Sequence, residues 1–153
     1  MALLKLEEVT KRFGGLIAVN AVSLEIEAGE FVGIVGPNGS GKTTLFNVIN
    51  GVFYPEEGRV LFEDKAITRL PPYKRAPLGI GRTFQIPRPF ASASVRENVA
   101  VGAMFGTLGH EVNVDESLEV ADQTIDRVGL QEHRKKQAGA LTPVEKKLME
   151  IAR

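Results

Sequence analysis

Residues 36–43 read GPNGSGKT, a fit to G-x-x-x-x-G-K-[ST] with Gly39 as a further glycine inside the frame. No other stretch restricts the fold as strongly. The run FVGIVG at 31–36 leads into it, short and almost continuously apolar, as suits a strand buried on both faces. Behind it Leu45, Val48 and Ile49 recur at helical spacing, and Gly51 supplies a stop. A glycine-rich turn between strand and helix lets backbone N–H groups converge on phosphate oxygens at the positive end of the new helix. Gly36, Pro37, Asn38, Gly39, Ser40, Gly41, Lys42, Thr43 and Thr44 therefore form a candidate phosphate grip. Lys42 would reach the β- and γ-phosphates of a nucleotide, and the Thr43 hydroxyl would ligate Mg²⁺. Glycines at 36, 39 and 41 do not make G-x-G-x-x-G, which excludes a dinucleotide-binding turn.

Around this turn the chain alternates strand-like and helix-like texture. Residues 3–9 and 22–26 alternate apolar and polar side chains, residues 58–67 read as a further strand or hairpin arm, and GIGRTFQ at 79–85 as a second short buried strand. From about residue 92 the pattern turns helical. Ser94 caps a helix carrying Val95, Val99 and Met104 inward. Asp115 caps another, with Leu118, Ala121, Ile125 and Val128 on one face and Gly129 closing it. At 142–145, TPVE combines a threonine cap, a proline at the first helical position and a glutamate three residues on.

Composition narrows the chemistry. A chain of 153 residues with 43% apolar side chains can build a core. Nineteen basic residues balance 19 acidic ones, so no overall field favours nucleic acid as a partner or an anionic membrane. The densest basic run, HRKK at 133–136, reads as a solvated helix face. The absence of cysteine excludes disulfides, thiolate zinc sites and cysteine nucleophiles, and His110 and His133, without metal-spaced partners, read as surface residues. MALLKLEEVTKRF is no signal peptide, and no window approaches the roughly eighteen apolar residues of a spanning helix. A soluble, cytoplasmic protein is expected.

Three further features, together with the phosphate grip, resemble the first part of an ABC transporter ATPase. TKRFGG puts Phe13 where that family carries an aromatic that stacks on adenine, and Gln85 in RTFQ matches the glutamine that contacts Mg²⁺ and senses the transmembrane subunit. LTPVE, residues Leu141, Thr142, Pro143, Val144 and Glu145, stands where the family has its L-S-G-G-Q signature. In the family's head-to-tail dimer that segment presents a hydroxyl and N–H groups to the γ-phosphate held by the other subunit. Thr142 keeps the hydroxyl, but Pro143 has no N–H and Val144 adds bulk. GGLIAVN, the 79–99 segment and the altered signature are most similar to ATPases of branched-chain amino acid importers. The resemblance implies an α/β P-loop NTPase of the ABC type: an antiparallel β-arm and partial parallel core sheet over 1–85, and a helical subdomain over 86–153. It implies ATP and Mg²⁺ as ligands, and a second ATP-binding subunit and transmembrane permease subunits as partners. It also implies a peripheral location at the inner face of the cell membrane.

Hydrolysis in this family uses an Asp-Glu pair that follows four apolar residues at the end of a buried strand. VLFED at 60–64 has the order reversed after three apolar residues and falls where the family has its β-arm; VNVDE at 112–116 carries asparagine inside the run. Neither fits, so no catalytic residue is assigned. The family pattern places the pair shortly beyond Arg153. The expectation is thus a truncated domain that binds nucleotide without hydrolysing it, with sheet faces left uncovered. Two other readings stay open: a non-catalytic nucleotide-binding or dimerisation module, and a soluble ABC protein of DNA repair or translation. The balanced charge and the importer-like 79–99 segment argue against the last.

Overall fold

The computed structural model describes residues 2–106 and 113–153; His110 and Val112 lie outside them. The chain divides into two compact units, Met1–Arg75 and Ala76–Arg153. The first unit is built on one antiparallel sheet in the order β2-β1-β3-β4, formed by β1 (Ala2–Phe13), β2 (Leu16–Glu27), β3 (Glu57–Phe62) and β4 (Lys65–Ala66). This is the expected β-arm, with longer strands than the alternation alone marked out.

Two irregularities shape it. The β1–β2 register shifts between Leu6 and Val9, and the intervening Glu8 adopts φ 51°. The backbone turned there exposes Thr10 to the interior, where its Oγ1 accepts a hydrogen bond from the Ala21 N–H at 2.9 Å. Opposite this bulge, Gly58 has φ 82°, and a Cβ there would lie 2.4 Å from the Glu7 and Glu8 carbonyl oxygens. Only glycine fits. At the β3–β4 turn, Glu63 and Asp64 have φ 47° and 60°, the primed geometry of a two-residue hairpin. The Glu-Asp pair that imitates a catalytic strand end is therefore a hairpin turn.

α1 (Lys42–Ile49) buries Leu45, Val48 and Ile49, as its spacing predicts, and ends at Asn50 with Gly51 at φ 75°. After the short α2 (Pro72–Arg75), Arg75 closes the unit. It is 1% exposed. Its guanidinium donates to the carbonyls of Leu70 at 2.8 Å, Val48 at 3.0 Å, Ile49 at 2.6 Å, Ile67 at 2.6 Å and Thr68 at 3.2 Å. The cation thus meets the carbonyl-rich end of α1 and the carbonyls of Ile67, Thr68 and Leu70. Arg75, at the centre of this knot, is the last residue of the first unit.

The runs 31–36 and 79–84 are not strands here. A parallel strand exists only through its ladder to neighbours, and among the described residues nothing pairs with either run. The expected uncovered apolar faces are present: Phe31 is 99% and Val35 96% exposed.

The second unit is helical: α3 (Val95–Phe105), α4 (Val114–Arg127) and α5 (Pro143–Ala152). Val95, Val99, Ala121, Ile125, Leu130 and Met149 are among the residues of its buried cluster, with Met104, Leu118 and Val128 packed against it. Ser94 and Thr142 cap α3 and α5 as expected, each in a reciprocal capping box with Glu97 or Glu145. The α4 cap differs. Asn113, not Asp115, holds the position: its side chain accepts the Glu116 N–H at 2.9 Å and Glu116 returns to the Asn113 N–H at 3.0 Å. Asp115 falls inside the first turn, where its charge complements the helix dipole instead. HRKK at 133–136 lies in a 3-10 turn and the turn after it, not on a helix face. His133 lies 3.0 Å and Lys136 3.7 Å from the Glu145 carboxylate, while Arg134 pairs with Asp122 and Asp126.

Arg75→Met keeps the aliphatic stem and removes a donor that five carbonyls share, two of which, Val48 and Ile67, also accept the Gly51 and Leu70 N–H groups. Each charged hydrogen bond contributes about 1.5–3 kcal/mol, so we expect a loss of about 3 kcal/mol or more. Urea unfolding followed by circular dichroism measures it. A midpoint unchanged from the parent chain would mean that the knot contributes nothing to closing the unit.

Candidate functional site

The loop before α1 owes its shape to two glycines and one lysine. Gly39 and Gly41 stand at φ 85° and 87°. Gly41 is also the N-cap of α1, and a Cβ on it would fall 2.0 Å from the Ala18 carbonyl oxygen of β2. Its missing side chain lets the start of α1 lie against that strand. The Lys42 ammonium turns back into the loop, donating to the carbonyls of Gly36 and Pro37 at 2.6 Å each and standing 3.4 Å from Ser40 Oγ.

The start of α1 is chemically open. Of the four helices of eight residues or more among the described residues, α3, α4 and α5 carry side-chain caps and an acidic residue in the first turn. α1 has neither: its cap is a glycine and its first turn is Lys42, Thr43 and Thr44. The first N–H groups of a helix lack intrahelical partners and carry its partial positive charge, so this end can accept an anion from outside. A triphosphate fits that donor set.

A cleft of about 330 Å³ collects these groups. Asn38, Gly39, Ser40, Gly41, Lys42, Thr43 and Thr44 line it together with Phe13, Leu16, Ile17 and Ala18. The structure thus brings Phe13 and the phosphate grip to one cavity, and Phe13 is 44% exposed there. Leu16 and Ile17 were missed by sequence reasoning. Their signal was an apolar pair directly after Gly14–Gly15, where a turn would ordinarily be polar.

The other candidate residues lie in the second unit. Gln85 is exposed. Its neighbour Phe84 is gripped through the backbone by α5: the Phe84 N–H donates to Glu150 Oε1 at 2.9 Å, and Lys147 donates to the Phe84 carbonyl. Lys147 and the buried Glu150 pair at 2.9 Å. The Phe84 ring lies under the guanidiniums of Arg82 and Arg88, at 4.8 and 5.9 Å. In the signature segment Leu141 is buried, while Thr142, Pro143 and Val144 are exposed at the start of α5. The Thr142 N–H donates to Glu145 at 2.6 Å, and this bond, with His133 and Lys136 nearby, holds the Glu145 carboxyl below its usual pKa. Among the described residues no group of three or more acidic, histidine or cysteine side chains could hold a metal ion, and no helix is long and apolar enough to cross a membrane.

A phosphate-binding loop opening an uncapped helix, beside an antiparallel arm and ahead of a helical unit, defines an ATP-binding cassette. The sequence matches the ABC transporter family over residues 19–153, and the chain belongs to that family. It is 37% identical over 162 residues to the high-affinity branched-chain amino acid transport ATP-binding protein LivG of Escherichia coli (strain K12), covering 99% of this chain and 64% of the relative. Among solved structures it is similar to a nucleotide-free ATP-binding cassette from an ABC transporter, with a TM-score of 0.85 at 36% identity over 99% of this chain and 64% of that one. A cassette solved in its ADP conformation gives a TM-score of 0.83 at 35% identity, over 100% and 64%. The chain therefore spans about two thirds, 64%, of the length of these relatives.

Gly41→Ala and Gly39→Ala separate backbone strain from contact. Both sites have positive φ, but a Cβ at Gly39 meets nothing within 4 Å. Strain alone costs about 1–2 kcal/mol at either, and at Gly41 the clash with β2 adds to it. Gly41→Ala should lower the urea midpoint clearly more than Gly39→Ala. Equal midpoints would mean that α1 is not seated against Ala18.

Proposed function

We propose that this chain is the nucleotide-gripping part of an ABC importer ATPase whose complete form couples ATP hydrolysis to uptake of branched-chain or other hydrophobic amino acids. One observation carries the reading: among the described residues, the one long helix without a side-chain cap opens into the same cleft as Lys42 and the half-exposed Phe13. The similarity to branched-chain amino acid transport ATP-binding proteins supports the cargo class.

The residues divide the work by chemistry. Phe13 stacks on adenine. Lys42 exchanges the carbonyls of Gly36 and Pro37 for the β- and γ-phosphates, a charged acceptor in place of two neutral ones. The N–H groups of Gly39 to Thr44 receive the remaining oxygens. The exposed Thr43 hydroxyl would hold Mg²⁺, which would supply positive charge against the phosphates. Thr142 offers its hydroxyl to the nucleotide of a second, head-to-tail ATP-binding subunit. There the proline leaves one N–H donor fewer, and Glu145 sets a carboxylate close to the incoming phosphate. Transmembrane permease subunits at the inner face of the membrane complete the assembly.

The reading extends to turnover: the 153 residues grip nucleotide without hydrolysing it. Catalysis of phosphoryl transfer is positioning and charge stabilisation, and no stretch of the sequence fits the family's Asp-Glu pair. Glu63 and Asp64, the nearest match, form a hairpin turn.

Lys42→Ala should weaken Mg²⁺–ATP binding tenfold to a hundredfold, since a charge-assisted hydrogen bond is worth about 1.5–3 kcal/mol. Titration calorimetry on the two proteins measures this, and equal affinities would sink the assignment of the grip. A phosphate-release assay on the parent chain should read background. Turnover that disappears in Lys42→Ala would reveal a hydrolytic carboxylate within residues 1–153.

A further inference from the structure

Phe13 is an exposed ring near the end of a strand, yet it is held on two sides. Phe53 meets it edge-on, with ring centroids 5.2 Å apart and planes at 77°. The Lys11 ammonium stands over the same ring at 5.2 Å from the centroid. This ammonium is not a free surface charge. The Lys11 side chain is only 13% exposed, and its Nζ donates to Glu56 Oε1 at 2.6 Å and to the Tyr54 carbonyl at 2.9 Å. Glu56 is itself fixed to β1 on both sides of Lys11. Its other carboxylate oxygen accepts the Arg12 N–H at 2.7 Å, and its own N–H donates to the Thr10 carbonyl at 3.0 Å. None of Lys11, Glu56 and Phe53 lines the cleft.

We propose that Lys11, Glu56 and Phe53 are positioning residues that fix the plane and the electron density of the Phe13 ring for stacking on a purine base. The proposal rests on the reading of Phe13 as the adenine platform and deepens it. An exposed phenylalanine samples several rotamers, and a base that stacks on it must stop that motion. A ring already held by an edge-on partner loses less freedom when the base arrives, so more of the stacking energy appears as affinity. The cation acts on the electrons. Drawn toward the ammonium, the π-density of Phe13 repels the π-cloud of an opposing base less. Glu56 keeps the ammonium in place and carries no contact to the base itself.

The test compares two ligands on the 153-residue chain. ATP engages both the ring and the phosphate grip; inorganic tripolyphosphate engages the grip alone. Lys11→Met and Phe53→Leu preserve apolar volume and remove the cation or the edge contact. Each should bind ATP about threefold to tenfold more weakly by titration calorimetry, with tripolyphosphate affinity unchanged. In a Phe13→Ala background neither should weaken ATP further, because coupled groups are not additive. In the nucleotide-free chain the NMR resonances of the Phe13 ring should move in both variants. Equal losses for the two ligands, or additivity with Phe13→Ala, would overturn the proposal, as would unmoved ring resonances. If Phe13→Ala itself leaves ATP affinity intact, the platform reading fails, and the ring resonances alone then decide whether the brace exists.

Discussion

An unmet set of helix donors organises the first unit. The N–H groups that open α1 have no side-chain acceptor, and the glycine that starts the helix lies so close to β2 that a Cβ on it would fall 2.0 Å from the Ala18 carbonyl oxygen. A serine, threonine, aspartate or asparagine at that cap would satisfy a donor, and its Cβ would push the helix off the strand. Leaving the cap bare keeps the positive end of α1 aimed into the cleft. It leaves Lys42 with only loop carbonyls to hold, neutral acceptors that a phosphate outcompetes. The other long helices close their ends with reciprocal boxes, so an anion has one obvious destination among them.

How much of this was legible in the sequence depends on the range over which each feature is determined. Caps are local: Ser94 and Thr142 were read correctly from four residues each. The α4 cap was misread as Asp115, although Asn113 has the glutamate three residues on and Asp115 does not. The turn that opens α1 was legible for the same reason, being set by glycines close in sequence. The runs at 31–36 and 79–84 were not, because strand identity belongs to the partners and not to the apolar run itself. Most distant of all was the surrounding of Phe13. Lys11 is two residues away, but Phe53 and Glu56 lie forty and more residues downstream, and nothing in a one-dimensional reading connects them.

The second unit couples its pieces through backbone rather than side-chain recognition. α5 holds both polar groups of the Phe84 peptide, and Asn98 of α3 does the same for Phe90, accepting its N–H at 2.8 Å and donating to its carbonyl at 3.0 Å. The stretch from 84 to 90, which has no ladder or helix to satisfy its peptides, is thereby hung between two helices. Gln85 sits inside that suspended stretch, so whatever moves α5 moves the backbone that carries Gln85.

Arg75 has a consequence for how the chain is made. Every carbonyl it binds belongs to a residue synthesised earlier, at 48, 49, 67, 68 and 70, and the arginine is the last residue of its unit. As the chain leaves the ribosome, the sheet and α1 emerge before the guanidinium that draws these carbonyls together, and those contacts form only after residue 75 has cleared the exit tunnel. A pause in translation before that point prolongs an open, exposed intermediate, whereas a pause after it finds the unit already closed.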